Sequence, residues 1–221
     1  METKKLTKKD FNDHNEFIGD ESILSFNGNL EIEESLGCVK FKWLNIKGYI
    51  LAKAFSGIKA GSGIKAGLGI EAGSGIEAGW GIEAGWGIEA GWGIKAGEGI
   101  KAGWGIEAGW GIEAGSGIKA GSGIKAGEGI KAGEGIEAGW GIEAGLYITC
   151  KLTISSKLRI FAGLCIWKIP KEEDKTIICG KLASGTIKYG ILNEVGLPEK
   201  KETCDGKIVE IEGKKYQLKE V

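Results

Sequence analysis

The chain has 221 residues, 29 basic and 30 acidic, for a net charge of -1. That balance argues against a phosphate-binding protein, which carries a basic excess, so charge does not indicate a nucleic-acid partner; it argues equally against an acidic nucleic-acid mimic. Forty-one Gly beside only two Pro fits neither a polar disordered linker nor a collagen, which needs Gly at every third position.

Residues 1–43 are expected to form an N-terminal cap. Thr7-Lys8-Lys9-Asp10 reads as a helix start with Thr7 as N-cap, and Phe11, His14 and Ile18 fall on one face of the short helix that would follow. Ile23 to Ile32 reads as a hairpin turning at Asn27-Gly28.

Residues 44–169 carry the dominant signal. From Ser56 to Gly145 the unit x-Gly-Ile-(Lys/Glu)-Ala-Gly recurs fifteen times, with Ile in phase from Ile58 to Ile142. The frame extends upstream to Ile46 and downstream through Ile148, Ile154, Ile160 and Ile166 after the glycines vanish. On an α-helix six-residue steps would scatter the Ile residues around the axis, and two Gly per unit would strongly disfavour it. On a strand, an even period puts every Ile on one side. Leu146, Ile148, Cys150, Leu152, Ile154, Leu158 and Ile160 hold even positions, with Tyr147, Thr149, Lys151, Thr153, Lys157 and Arg159 between them. This alternation is too long for one ordinary strand, so the chain must turn without losing phase.

The predicted fold is therefore all-β: a β-solenoid with Ile and Ala inward and Lys or Glu outward. The glycines flank the bends, where a positive φ is the expected reason for them. Stacked coils prefer opposite charges. The outward charges of units one apart are opposite in 5 of 14 cases, two apart in 10 of 13, and three apart in 9 of 12. One-unit stacking is excluded, while twelve and eighteen residues per coil remain open on charge. We prefer eighteen, a triangular coil of three hexads, which makes seven coils between Leu44 and Ile169.

This pattern resembles the hexapeptide-repeat β-helices and, in its short Gly- and Ile-rich coils, is similar to the bactofilin-type polymer-forming proteins. The resemblance implies a β-solenoid. Hexapeptide acyltransferases use a histidine on a coil loop, and this repeat has none.

Residues 170–221 are expected to form a C-terminal β cap. Thr176–Cys179 and Thr186–Leu192 are strand candidates, Pro198 to Thr203 breaks the chain, and Lys207–Ile211 with Lys215–Leu218 would form a last hairpin about Glu212-Gly213. Caps at both ends would oppose end-to-end polymerisation.

Chemistry-bearing residues are sparse. The single histidine, His14, lies outside the repeat, and no two Cys or His have metal-ligand spacing. The five Cys are scattered and odd in number, as in a reduced cytoplasmic protein, bacterial or, if phage-encoded, in the host cytoplasm. No stretch is long and apolar enough for a membrane helix. No catalytic residue, cofactor or metal is predicted. The variable column holds Trp80, Trp86, Trp92, Trp104, Trp110 and Trp140, the candidate partner-binding residues. In an eighteen-residue coil Trp86 stacks on Trp104 and Trp92 on Trp110, either as packing or as an aromatic surface. The expected function is a non-enzymatic scaffold recognising a macromolecule, above all a protein. One form of this would be a phage or mobile-element inhibitor of a host nuclease or defence complex. The alternatives are a bactofilin-like polymer that self-associates and, more remotely, a hexapeptide-type acyltransferase.

Overall fold

In the computed structural model, residues 1–198 and the strands Ile208–Ile211 and Lys214–Gln217 are described. Each hexad after the first, which forms the longer strand Ser56–Ala60, supplies a three-residue strand, Ile-(Lys/Glu)-Ala, whose ends are buried and whose centre faces out. Strands three hexads apart pair in parallel: Ile76 lies between Ile58 and Ile94, and Ala78 between Ala60 and Ala96. The result is a parallel β-solenoid with eighteen residues per coil through the repeat and three sheets of ten, nine and nine strands. We call these the first face (with Ile70–Ala72 and Ile88–Ala90), the second face (Ile76–Ala78) and the third face (Ile82–Ala84), in the order the chain visits them. Stacked Ile and Ala fill the interior; every repeat Ile is at most 1% exposed. Beyond the repeat Cys150 and Ser156 take Ala positions, and the Ser156 hydroxyl donates 2.9 Å to the Trp140 carbonyl.

The glycines are required for a steric reason and not a conformational one. None between Gly57 and Gly145 has a positive φ. The glycine after each Ala, from Gly67 to Gly145, lies so near the preceding coil that an added Cβ would collide with a backbone carbonyl oxygen; at Gly85 it is that of Gly67. On the first face, from Gly69 to Gly123, the glycine before each Ile is different. A Cβ on Gly87 would sit 3.5 Å from the Gly105 carbonyl oxygen, an ordinary contact. Its outward position is filled by Tyr49 in the coil below Gly69 and by Arg159 above Gly141.

The solenoid is longer than the repeat at both ends. Thr3–Leu6 already pairs in parallel with Asn29–Ile32. The Asn27-Gly28 hairpin is not formed: Ser25–Phe26 joins the third face and Asn29–Ile32 the first, so this turn is a solenoid corner. The first full coils run slightly wider, with Leu30 opposite Ile50, and Phe55 in a left-handed conformation (φ 60°) at the bend before Ser56.

No α-helix follows Thr7. The Thr7 N–H donates to the Asp10 carboxylate (2.7 Å) across a single 3-10 turn, Lys8–Asp10. The Asn12 side-chain oxygen then accepts from the backbone of both His14 and Glu16, and Asn15 is left-handed (φ 58°). These local bonds divert the backbone from a helix. Phe11 is buried and packs edge-on against Phe17 and Phe41, whereas His14 and Ile18 are exposed.

At the other end the inward frame stops at Ala162. Gly163 (φ 91°) turns the chain out into an excursion, and Ile166, in phase by sequence, is 95% exposed. The chain re-enters at Thr176, placing Ile177 over Ile148, twenty-nine residues on instead of eighteen. Strands Thr176–Cys179, Lys181–Leu182, Thr186–Tyr189 and Ile191–Glu194 add further parallel rungs, so the expected C-terminal cap begins as more solenoid, about nine coils in all. Ile208–Ile211 and Lys214–Gln217 pair antiparallel; the break expected at Pro198 to Thr203, beyond Pro198 itself, and the Glu212-Gly213 turn lie outside the described residues.

Two outcomes test this packing. Gly85→Ala should lower stability by about 2–3 kcal/mol or more, from forced overpacking of backbone, while Gly87→Ala should change it by less than about 1 kcal/mol; denaturant midpoints followed by far-UV circular dichroism give both. Cys150 and Cys179 are buried, and burial, followed by the neighbouring Cys179, pushes the Cys150 thiol up to about 11. In the native protein a thiol reagent at pH 8 should therefore label Cys38 and Cys165 and reach Cys150 and Cys179 only on unfolding.

Candidate binding surface

Only two residues of each hexad present a side chain outward: the Lys or Glu at the strand centre and the variable residue between two glycines. The solenoid gathers the variable residues at its three edges. Leu68, Trp86, Trp104, Ser122, Trp140 and Leu158 line the edge between the third and first faces, linked coil to coil by bonds such as Trp104 N–H to the Trp86 carbonyl (3.0 Å). Ser74, Trp92, Trp110, Glu128 and Leu146 line the edge between the first and second faces. Ser62, Trp80, Glu98, Ser116 and Glu134 line the third edge. All six column Trp residues are exposed, between 54% and 66%. Trp86 and Trp104 stack with ring centroids 6.0 Å apart, and Trp92 and Trp110 at 5.7 Å. These are side chains lying on the surface, and they fill no internal space.

Because Gly precedes each Ile, a shallow groove runs along each face beside its edge. The largest, about 1030 Å³, lies on the first face. Gly69, Gly87, Gly105, Gly123 and Gly141 form its floor, and Trp86, Trp104 and Trp140 form one wall. Glu71, Glu89, Glu107, Lys125 and Glu143 form the other. Tyr49 with Leu51 and Arg159 with Phe161 bound its ends, where the repeat gives way to larger residues.

The three faces differ in charge. On the second face Lys59, Glu77, Lys95, Glu113 and Lys131 alternate at every step, with ion pairs at 2.8 Å (Lys59–Glu77) and 3.5 Å (Lys95–Glu113). The third face has one like-charged step, Lys101 to Lys119. The first face stacks Glu71, Glu89 and Glu107 in succession before Lys125 and Glu143. Lys125 pairs with Glu107 at 3.1 Å, and this bond holds its ammonium above the ordinary lysine range. Glu71, Glu89 and Glu143 form no ion pair among the described residues. Exposed pairs contribute little each, but stacked like charges are unfavourable.

The structure brings Trp86, Trp104 and Trp140 to one edge and places Trp92 with Trp110 and Trp80 on the other two. Sequence reasoning missed the excursion, where Ile166, Trp167 and Ile169 are exposed; Ile166 keeps the Ile period and reads as continuing the inward frame. Gly163 gave no warning in the sequence, because it stands in the slot after Ala that every hexad fills with glycine. His14 is exposed in the N-terminal turn and lines none of the three grooves. Among the described residues no cluster of His, Cys, Asp or Glu could hold a metal ion, and no helix is long and apolar enough to cross a membrane.

Fold and surface together define the class: a three-sided parallel β-solenoid with tryptophan-bearing edges. Comparison with protein-family models, with curated proteins and with solved structures finds no match.

The charge order makes a stability prediction. Glu89→Lys places an ammonium between Glu71 and Glu107 and restores alternation. It should raise stability by about 0.5–1 kcal/mol at low salt, an effect that shrinks at 1 M salt. Denaturant midpoints at the two ionic strengths measure it.

Proposed function

We propose that the chain is a rigid, non-enzymatic scaffold that recognises a protein partner through its tryptophan-bearing edges and the grooves beside them. The observation that carries this reading is the exposure of all six column indoles on edges that the hexad pattern also fills with Ser or Glu. Such large apolar side chains are not needed by the core. Exposed aromatic patches mark interaction sites, and Trp anchors are prominent in protein interfaces. A continuous parallel ladder with a close-packed Ile interior fixes the backbone that carries the indoles, which lowers the ordering cost of binding.

Replacing Trp86, Trp104 and Trp140 together by Ser, a residue the column already uses at Ser62 and Ser122, tests the reading. Immobilised native protein should retain a discrete protein partner from the source cells. The triple variant, with unchanged circular dichroism and only a slightly lower midpoint, should lose it. Equal recovery by both proteins, or none by either, overturns the reading.

A second reading, end-to-end self-association of the bactofilin-like kind, is favoured by one observation. The strand Ile191–Glu194 is exposed along its whole length and, among the described residues, pairs on one side only, with Thr176–Cys179. An unpaired strand edge invites another chain. Light scattering over a concentration series separates the two readings: constant mass supports the scaffold, and mass that grows with concentration supports the polymer.

A further inference from the structure

The first-face groove shows a departure from the design of the other two faces. Opposite charges alternate without a break on the second face and with one break on the third, yet the first face stacks three carboxylates. Of the five outward residues along this groove, four are Glu and one is Lys; each of the other two faces carries three Lys and two Glu. The acidic run lies beside the edge with the most indoles, three of the six. Trp86 and Trp104 cover each other on one side. The next coil holds only Ser122 at that position, so the far face of Trp104, turned towards Trp140, is left uncovered.

Resting on the scaffold reading above, we propose that this groove binds an extended Lys- or Arg-rich segment of the partner protein. The carboxylates of Glu71, Glu89 and Glu143 supply unpaired acceptors for ammonium or guanidinium groups, and the open face of Trp104 supplies a cation–π surface. The floor cannot take part by strand addition, because its carbonyls are engaged between coils, as in Ile88 N–H to the Gly105 carbonyl (3.0 Å). It offers close approach over bare glycine instead. Five floor glycines at about 4.8 Å per coil span about 19 Å, the length of roughly six extended residues. The same carboxylate row repels a phosphate backbone.

The test uses the full chain, its tryptophan emission, and eight-residue peptides of lysine, of arginine and of a neutral Gly-Ser sequence, at low and moderate salt. Both cationic peptides should change the emission saturably and bind at least tenfold more tightly than the neutral peptide, with affinity falling as salt rises. The double variant Glu71→Gln/Glu89→Gln should weaken them about tenfold or more, and Trp104→Ser should weaken the arginine peptide most. Glu77→Gln, on the second face, should leave binding unchanged. Glu71→Gln/Glu89→Gln is also expected to melt no lower than the native chain, so its lost binding cannot be assigned to misfolding. Equal affinity for the neutral peptide, indifference to the Glu71/Glu89 change, or tighter binding of spermine or of single-stranded DNA than of the peptides overturns the proposal. The triple Trp variant of the capture experiment keeps the two readings apart. Partner capture by the native chain that depends on those Trp residues, without cationic-peptide binding, leaves the scaffold and removes this occupant; a native chain that neither captures a partner nor binds the cationic peptides removes both.

Discussion

The repeat depends on one close approach: from Ala66 to Ala144 the backbone after each inward Ala comes so near the coil before it that no side-chain carbon fits. At Gly85 the neighbour is the carbonyl oxygen of Gly67, and the same relation repeats from Gly67 to Gly145. Glycine here is chosen for its missing Cβ and not for its freedom of φ, since none of these residues adopts a left-handed conformation. With that contact in place, each hexad turns one corner and the next strand pairs eighteen residues back. The Ile and Ala columns then close into an interior that no single hexad could bury.

The other glycine of each hexad has a different consequence. Its Cβ would be tolerated at Gly87, and bulky residues take its position at Tyr49 and Arg159. Its absence over five successive coils is what opens the groove. On the first face packing therefore explains one glycine in each hexad, and the shape of the surface follows from the other. The same separation holds for charge. The second face shows what alternation can achieve for stability, and the first face, with Glu71 and Glu89 unpaired beside Trp86 and Trp104, gives some of it up at the edge richest in indole.

Much of this was legible in the residues. The Ile period, the even-position alternation from Leu146 to Ile160 and the charge order led to a β-solenoid, and the preferred eighteen-residue coil correctly paired Trp86 with Trp104 and Trp92 with Trp110. The errors came where a short-range pattern had two solutions. Asn27-Gly28 suits a hairpin and a solenoid corner alike, and only the parallel partners of Ser25–Phe26 and Asn29–Ile32 decide between them. Phe11, His14 and Ile18 have helical spacing, but the Asn12 side chain captures the backbone first. Ile166 keeps the period, yet the turn at Gly163 carries it out of the core.

By itself the sequence determined the strand character, the inward and outward residues of each hexad and the need to stack, because those follow from a period that is even and from side chains that are apolar or charged. Only the tertiary structure decided which indoles share an edge, which carboxylates go unpaired and where a groove lies between them. Trp86, Trp104 and Trp140 are separated by eighteen and thirty-six residues of near-identical repeat. Their assembly beside Glu71 and Glu89 depends on coil length and register, which are set by contacts between coils and not within them.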